Sequence, residues 1–365
     1  MSKWQTFYLK DLGKIVGGAT PSTNNPKNYG NKIAWITPKD LSTLQGRYIK
    51  KGSRSISRLG FKSCSCVLLP KHAILFSSRA PIGYVAIAKK RLCTNQGFKS
   101  IIPNKKIYFE FLYYLLKYHK DNISNIGGGT TFKEVSGTTL GLFEVKIPPT
   151  YYEQQKIART LSILDQKIEN NHKINEILHT LAYKIYEYYF KYKPKNAKLE
   201  QIIIENPKSS IMVKNAQKTQ DKYPFFTSGD NILSYPKAII DGRNCFLNTG
   251  GNAGIKFYVG KASYSTDTWC ICANEFSDYL YLLLSNIKTH INQSFFQGTS
   301  LKHLQKNLLK KYPIYMPSAH EITKFNQIIM PLLTLISINT RTSKKLEQIR
   351  DFLLPLLLTQ QVKPQ

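Results

Sequence analysis

The sequence predicts a mixed α/β (α+β) fold with two pseudo-repeated globular domains, separated by two long helices that form an antiparallel coiled coil. Two observations predict it: blocks of sequence recur in the same order across the 365 residues, and a helical heptad stripe follows each copy. The length agrees with this organisation, because domains of about 100 to 200 residues are typical. With 42% hydrophobic residues, each half can bury a core.

The repeat is clearest around a glycine turn. Residues 74–84 align without a gap with residues 245–255, at an offset of 171, and Gly83 meets Gly254. Further blocks recur in the same order: 94–98 as 265–269, 111–116 as 279–284, and 129–133 as 298–302. Two unrelated α/β stretches can look alike by chance, but the kept order favours a duplication. The predicted boundaries are a first domain at 1–150, a helix at 151–195, a second domain at 196–317 and a helix at 318–365.

Short β-branched and aromatic runs bounded by Gly and Pro predict the strands of the first domain. They lie at 33–36, 67–69 and 84–87, and the apolar segment 107–119 is predicted to be a buried helix. The second domain follows the same scheme with more polar turns.

Two stripes of residues spaced three and four apart predict the long helices. The first helix follows Pro148-Pro149, and the second follows Pro317-Ser318, where Ser318 is a plausible N-cap. Pro331 and Pro355 are expected to kink or shorten the second helix. The predicted seam comprises Leu161, Leu164, Ile168, Asn171, Asn175 and Leu178 in the first helix, and Ile329, Leu332, Ile336, Asn339 and Leu346 in the second.

Polar residues occupy corresponding places in the two seams. Such residues lower stability but fix the register of a helix pair. If the helices run antiparallel about a pseudo-twofold axis, Asn171 faces Ser343 and Asn175 faces Asn339. The alternative is that each helix packs separately on its own domain.

The charge of the chain points to an anionic partner. Lys and Arg number 52 against 22 Asp and Glu, a net charge of +30. The net charge is +18 for 1–150, +3 for 151–195, +6 for 196–317 and +3 for the remainder, so the globular parts carry most of it. Nucleic acid is the expected partner. Five cations that could bind phosphates lie within one segment of twelve residues: Arg47, Lys50, Lys51, Arg54 and Arg58. The alternative is that they form a solvated charged face.

Two glycine-rich turns and one pair of loops are further candidates. The turn at 127–131 is expected to open a helix whose free N–H groups bind phosphate, and 298–300 repeats it; an ordinary helix start is the alternative. In the loop after the aligned strands, Arg79 is suited to guanine, and Asn248 and Asn252 to adenine. A turn-stabilising role remains equally open for each.

Catalytic signatures are missing from the sequence. It has no phosphate-binding P-loop, no zinc-protease His-Glu motif, no nucleophile elbow and no Pro-Pro-Tyr or Pro-Pro-Phe methyltransferase motif. The six cysteines lack zinc-ligand spacing, so reduced, mostly buried thiols and no bound metal are expected. No signal peptide and no long apolar stretch is evident, which predicts a cytoplasmic protein that does not bind membranes.

An ordered set of motifs resembles the DNA specificity subunits of type I restriction-modification systems over nearly the whole chain. The set comprises Gly18-Ala19-Thr20-Pro21, Trp35-Ile36-Thr37-Pro38, Ser77-Ser78-Arg79-Ala80-Pro81-Ile82-Gly83, Thr94-Asn95-Gln96-Gly97-Phe98, Gly129-Thr130-Thr131-Phe132 and Glu153-Gln154-Gln155. In the second half, 223–229 and 249–254 look like a different type of target recognition domain. The second helix departs from the pattern, since 317–322 lacks the Glu-Gln pair.

The resemblance implies two target recognition domains, each reading one part of a split duplex DNA site. It also implies two methyltransferase subunits docked on the helices and restriction/translocase subunits outside them. S-adenosylmethionine, Mg and ATP then belong to these partners, and no cofactor is expected on this chain. The expected DNA contacts are Lys39, Arg47, Lys50, Lys51, Arg54, Arg58, Ser78, Arg79, Lys99, Thr130, Thr131 and Lys133 in the first domain, and Arg243, Asn248, Asn252, Lys256, Lys261, Thr299 and Lys302 in the second.

Helix length gives an expectation for the target. A helix pair of about 30 residues is roughly 45 Å long, which places the half-sites one to one and a half DNA turns apart and leaves roughly five to eight base pairs unread. Two alternatives remain: a specificity subunit of a two-component or fused enzyme without a translocating motor, or a stand-alone RNA-binding scaffold protein.

Overall fold

The structure, a computed structural model, describes residues 3–79, 81–128, 133–216 and 222–364. The chain forms two compact units. Unit 1 comprises residues 1–169 and 345–365, and unit 2 comprises residues 170–344. Each unit therefore contains one globular part and a portion of both long helices.

Unit 1 is built on mixed sheets. Its strands are β1 (Gln5–Tyr8), β2 (Gly13–Gly17), β3 (Tyr29–Ile36), β4 (Tyr48–Ile49), β5 (Arg54–Ile56), β6 (Ile74–Phe76), β7 (Val85–Ala88), β8 (Cys93–Thr94), β9 (Lys99–Pro103) and β10 (Glu144–Ile147). Its shorter helices are α1 (Leu9–Leu12), α2 (Pro38–Ser42), α3 (Arg58–Lys62), α4 (Phe109–Asn125) and α5 (Gly137–Gly141). The sheets have the orders β2-β9-β6-β7-β4, β5-β3-β8 and β1-β10.

The first long helix, α6 (Tyr151–Tyr186), continues into a π-helical turn at Glu187–Lys191. Unit 2 then contains β11 (Ala197–Lys198), β12 (Ile204–Glu205), β13 (Tyr223–Phe226), β14 (Leu233–Tyr235), β15 (Arg243–Asn248), β16 (Ile255–Val259), β17 (Ser263–Tyr264), β18 (Thr268–Cys272), β19 (Phe296–Gln297), β20 (His303–Leu304) and β21 (Pro313–Ile314). Its helices are α7 (Ser277–Asn286), α8 (Lys288–Ser294), α9 (Lys306–Lys310) and the second long helix, α10 (Ala319–Leu358).

The duplication is visible in the strand order. Unit 1 places β6 between β9 and β7, and unit 2 places β15 between β18 and β16. A parallel pair recurs as well, β3 with β8 and β13 with β17, and so does an antiparallel pair, β1 with β10 and β11 with β21. The predicted repeat is therefore confirmed at the level of strand pairing.

The buried helices α4 and α7 carry the apolar blocks that recur in the sequence. Residues 111–116 of α4 and 279–284 of α7 are all buried. Helices that are apolar all round are typical of a protein interior. The predicted helix at 107–119 is confirmed, with its observed bounds shifted to Phe109–Asn125. Four of the six free cysteines are also buried.

The long helices run antiparallel where they meet within unit 2. Asn171 Nδ2 donates to Ser343 Oγ at 3.1 Å, and Asn339 Nδ2 donates to Asn175 Oδ1 at 2.9 Å. Both predicted pairs are confirmed, and they exclude the alternative of separately packed helices. Within unit 1, the apolar residues Ile157 and Leu161 of α6 join the same core as Leu357 of α10.

One local prediction is wrong, a second is wrong only in its alternative of a helix that ends at a proline, and a third is confirmed. Residues 67–69 form no strand and make one isolated bridge, between Leu69 and Leu92. Helix α10 runs through Pro331 and Pro355 without ending, because its apolar face is packed on the cores around both prolines, with Leu333 and Leu354 buried. The predicted N-cap at Ser318 is confirmed, since Glu321 N donates to Ser318 Oγ at 3.3 Å and Ser318 N to the Glu321 carboxylate at 2.9 Å.

The glycine turns do not open helices as predicted. Gly128 pairs with Glu134 in a β-bridge, and Gln297 pairs with His303 in the β19–β20 hairpin. The following helices, α5 and α9, begin only at Gly137 and Lys306 and span five residues each. Backbone pairing across each turn uses N–H groups that a helix N-terminus would leave free.

Candidate nucleic-acid interface

Three segments meet at one place in unit 1, and we call this meeting point junction 1. They are the loop after β6, the turn between β8 and β9, and the hairpin that contains Gly128 and Glu134. Ser78 N donates to Gly97 O at 2.8 Å, and Val135 N donates to Ser78 O at 3.0 Å. These bonds tie the loop to the turn on one side and to the hairpin on the other.

Unit 2 contains the matching arrangement, junction 2. Thr249 N donates to Asp267 O at 3.2 Å, and Leu304 N donates to Thr249 O at 3.0 Å. Gly251 N also donates to Lys302 O at 2.9 Å. By the repeat, Ser78 corresponds to Thr249 and Val135 to Leu304, so the same backbone bond closes both junctions.

Charged side chains line junction 1. Glu134 lies 3.6 Å from Arg79 Nη1 and 3.4 Å from Lys99 Nζ, and all three side chains are partly exposed. Lys133 is exposed beside them, whereas Ser78 is buried and contributes backbone contacts. Thr130 and Thr131, which the sequence also predicts as DNA contacts, lie outside the described residues.

Junction 2 carries different chemistry. Asn252, Thr299 and Lys302 are exposed there. Asn248 is 7% exposed; its Nδ2 donates to Asn252 O at 3.1 Å, and its Oδ1 accepts from Lys256 Nζ at 3.3 Å. The prediction that Asn248 reads adenine is therefore corrected, because its amide serves the turn. Lys256 also donates to Thr227 O at 2.8 Å, and burial lowers the pKa of its amine, so it too is a turn residue.

Most of the predicted phosphate contacts lie at the surface. Lys50, Lys51 and Arg58 of the cationic segment are exposed, and exposed Arg54 lies over the ring of Tyr29, 4.5 Å from its centroid. The two other predicted contacts, Lys39 in α2 and Lys261 after β16, are also exposed. Their positive charge is thus available to an anionic partner.

Arg47 is the exception, and its predicted phosphate contact is wrong. Its side chain is 3% exposed and lies 3.0 Å from Glu110 and 3.1 Å from Glu169. Asp165 lies at 3.9 Å and also pairs with Arg350 of α10 at 2.7 Å. Burial alone would lower the pKa of Arg47, but interactions with Tyr114 and with the carboxylates of Glu169 and Asp165 hold this pKa above its ordinary value. Arg47 therefore fastens the sheet of unit 1 to its helices.

Arg243 has the same role in unit 2, which corrects a second predicted DNA contact. It forms a two-pronged ion pair with Asp278, whose side chain is 2% exposed. Its Nη1 donates to Thr334 Oγ1 of α10 at 3.0 Å, and its Nη2 donates to Met330 O at 3.2 Å. Such bidentate geometry is the strongest form of the arginine–carboxylate contact.

Sequence reasoning missed these two buried anchors, although one signal was present. Glu110 and Asp278 occupy corresponding positions at the offset of 168, directly before the repeated apolar block. An acidic residue kept beside a buried helix in both copies indicates a buried cationic partner, because an unpaired buried carboxylate is unfavourable. The identity of that partner depends on strands far away in the sequence.

The predicted seam residues all avoid full exposure. Leu161, Ile168, Ile329 and Ile336 are buried, and the remaining ones are partly buried: Leu164, Asn171, Asn175, Leu178, Leu332, Asn339 and Leu346. Within the described ranges, no group of His, Cys, Asp or Glu side chains is arranged to hold a metal ion. Among the same residues, no helix has the length and apolar character needed to cross a membrane.

The fold and the paired junctions define a class of protein in which one scaffold, used twice, presents two different polar surfaces. The sequence profile described as "Type I restriction modification DNA specificity domain" matches residues 1–179 and 195–348. The chain belongs to this family, the DNA specificity subunits of type I restriction-modification systems.

Individual relatives agree with this assignment. The type I restriction enzyme MjaIX specificity subunit of Methanocaldococcus jannaschii is 33% identical, over 97% of this chain and 92% of its own length. The HindI specificity subunit of Haemophilus influenzae is 31% identical over 48% of this chain and 39% of its own length. In fold, the chain is similar to the crystal structure of the S subunit of a type I restriction-modification system from M. genitalium, with a TM-score of 0.66 and 18% identity over 98% of this chain and 96% of that one.

Proposed function

We propose that this chain is the non-catalytic specificity subunit of a cytoplasmic type I restriction-modification complex, and that each unit reads one half of a gapped duplex DNA site. The observation that carries the proposal is the duplicated junction. One backbone bond closes both junctions, Val135 N to Ser78 O in unit 1 and Leu304 N to Thr249 O in unit 2, whereas most of the exposed side chains differ. A duplicated scaffold with two different surfaces suits a split site with two different halves.

The charge distribution supports duplex DNA as the ligand. Exposed Lys50, Lys51, Arg54 and Arg58 supply sequence-independent phosphate contacts, and Arg79 at junction 1 has the donor geometry for guanine. Phosphate contacts position a protein on DNA, and contacts to base edges specify the sequence. In this proposal the exposed cationic segment contacts phosphates, and the side chains at the junctions contact base edges.

An apolar stripe on each long helix supports the docking of two methyltransferase subunits. Six exposed apolar residues of unit 2 form this stripe, and all but Leu181 directly precede one of the seam residues named above: Ile174, Ile177 and Leu181 on α6, and Ile328, Leu335 and Ile338 on α10. In an antiparallel helix pair, such positions lie on one side of the seam. Because the stripe is present on both helices, each helix can dock one methyltransferase subunit. S-adenosylmethionine, Mg and ATP are then held by the partner subunits.

Mapping methylated adenines across the genome tests the proposal, in cells with and without this chain. We expect one gapped motif, with roughly five to eight unread base pairs, to lose methylation when the chain is removed. Loss of a continuous motif contradicts the split-site reading. If the map does not change, binding of the purified chain to random duplex and RNA pools becomes decisive, and preference for RNA overturns the proposal.

Docking has a separate test. Ile177→Asp and Leu335→Asp should reduce co-purification of the methyltransferase subunit encoded with this chain, because each places a charge in the apolar stripe. Thr180→Asp, an exposed polar position on the same helix, is the matched control and should leave co-purification unchanged. Equal effects of all three substitutions contradict docking on the stripe.

A further inference from the structure

Junction 1 contains a carboxylate where a DNA-binding surface would be expected to carry cations alone. Residues 1–150 hold 24 basic and 6 acidic residues, and Glu134 is one of the six. A negative charge at this place repels phosphates and therefore weakens sequence-independent binding. Its presence at the junction calls for a role other than attraction to the DNA backbone.

The backbone at Glu134 is bonded to Gly128 and, through the next residue, to Ser78. Glu134 N donates to Gly128 O at 2.9 Å, and Gly128 N donates to Glu134 O at 3.1 Å. The next residue, Val135, is fully buried and is tied to Ser78, which directly precedes Arg79. The carboxylate is thus presented from a backbone segment that is paired with Gly128 and bonded to Ser78.

Its side chain joins the two other segments of the junction. One oxygen lies 3.6 Å from Arg79 Nη1, and the other lies 3.4 Å from Lys99 Nζ. The exposed fractions are 37% for Arg79, 36% for Glu134 and 20% for Lys99. One nitrogen of the guanidinium is therefore ion-paired with the carboxylate, while part of the Arg79 side chain remains open to a ligand.

We propose that Glu134 is a positioning residue that holds Arg79 and Lys99 of junction 1 for base readout, and that it increases specificity while it reduces affinity for DNA in general. The proposal rests on the proposed function. A long arginine loses conformational freedom when it contacts a base, and an ion pair formed beforehand reduces that loss. The same carboxylate keeps both cations from binding phosphates indiscriminately.

The effect is confined to one unit. At junction 2, the repeat places Gly250 at the position of Arg79 and His303 at the position of Glu134, so this ion pair has no counterpart there. Loss of the Glu134 carboxylate should therefore change preference in one half of the recognised site and leave the other half unchanged.

Selection of bound sequences from a random 40-base-pair duplex pool, by the purified full-length chain, tests this inference. With Glu134→Gln, we expect the preference at one base pair of one half-site to fall about tenfold, within the range of a bidentate arginine–guanine contact. Binding to non-cognate duplex should become stronger, and its dependence on salt steeper by up to about 0.9 in log–log slope, because a freed cation gains a phosphate. Glu144→Gln, which removes an exposed carboxylate in β10, is the matched control and should change neither.

A double-substitution cycle separates positioning from a structural role. If Glu134 acts through Arg79, Glu134→Gln should have little further effect on specificity in an Arg79→Lys background. Uniformly weaker binding with an unchanged sequence preference indicates a structural role and overturns the inference. An unchanged profile for Glu134→Gln, with a normal motif for the unaltered chain, overturns this inference alone. If the unaltered chain selects no motif, the proposed function itself fails.

Discussion

Replacement of Arg47 is the most direct test of the buried anchor in unit 1. Arg47→Met keeps an unbranched apolar stem in place of the arginine methylenes but removes the guanidinium and its charge, and so leaves Glu110 and Glu169 without their buried cationic partner. Breaking a buried ion pair from one side typically destabilises a protein by about 3–5 kcal/mol. We expect a loss of about 3 kcal/mol in the free energy of unfolding, at the lower end of this range. Two of the carboxylates retain a partner, because Asp165 still pairs with Arg350 and Glu110 still accepts a hydrogen bond from the Tyr48 hydroxyl.

Two assays report on this substitution. For a unit of this size, 1 kcal/mol corresponds to about 2–4 °C, so differential scanning calorimetry should show a transition lowered by roughly 6–12 °C. Since Arg47 is buried, the salt dependence of DNA binding below that transition should not change. A phosphate contact at this position would instead reduce the slope by about 0.9.

The controls use the same region of the chain. Exposed Arg58→Met should leave the transition unchanged and reduce the salt slope. Adding Glu110→Gln and Glu169→Gln to Arg47→Met should restore part of the stability, because the uncompensated charges are removed. Normal stability together with a reduced salt slope for Arg47→Met would refute the anchor.

In the helix seam, Asn339→Leu alone should destabilise unit 2 by about 1 kcal/mol, because Asn175 Oδ1 loses its hydrogen-bond donor. The double substitution Asn175→Leu with Asn339→Leu should instead raise the free energy of unfolding measured in urea, because no polar group is left unpaired. A double variant that is less stable than Asn339→Leu alone contradicts the pairing. At the surface, replacement of Lys50, Lys51, Arg54 and Arg58 by glutamine should make DNA binding less dependent on salt. The slope of the logarithm of the binding constant against the logarithm of the salt concentration should fall in magnitude by about 0.9 for each phosphate contact that is lost. An unchanged slope indicates that the DNA does not contact these residues. The Ser318 N–H, followed by the Tyr315 hydroxyl, holds the pKa of Glu321 at about 2, below its ordinary 4.5. This carboxylate therefore stabilises the fold fully above pH 4.5 and loses its effect as the pH falls toward 2. Glu321→Gln should lower the unfolding temperature more at pH 7 than near pH 3, and the difference should vanish only as the pH falls below the folded-state pKa. An equal difference at pH 7 and pH 3 contradicts the shifted pKa.

The sequence predicted the features that depend on patterns repeated along the chain. The offset between the two copies led to the matching strand orders, and the polar seam positions led to the pairs Asn171–Ser343 and Asn175–Asn339. Both depend on spacing, which a sequence displays directly. Periodicity also predicted the two long helices, although the second helix continues through Pro331 and Pro355, where tertiary packing outweighs the shortening that proline was expected to cause.

Features that depend on distant partners could not be predicted. Arg47 looks like its exposed neighbours in sequence, and only the fold brings Glu110, Asp165 and Glu169 around it. Likewise, Asn248 has the donor and acceptor set of a base reader, but the turn to Asn252 uses that set internally. A side chain's chemistry limits what it can bind, and its burial decides whether it is free to do so.

The two units differ in a way that separates scaffold from surface. The carboxylates Glu110 and Asp278 occupy the same place in the repeat, and each binds an arginine in or next to a strand, buried Arg47 in unit 1 and partly buried Arg243 in unit 2. Those arginines come from different strands, Arg47 just before β4 and Arg243 from β15, so the same anchoring result is reached by two routes. The exposed residues at the junctions have a lysine in common, Lys133 and Lys302, but differ elsewhere, since Arg79 and Glu134 of unit 1 correspond to Gly250 and His303 of unit 2. A scaffold fastened by buried ion pairs can tolerate substitution at its loops, because the loops carry little of the stability. Exchange of the junction loops should therefore change the DNA sequence recognised while the fold remains intact.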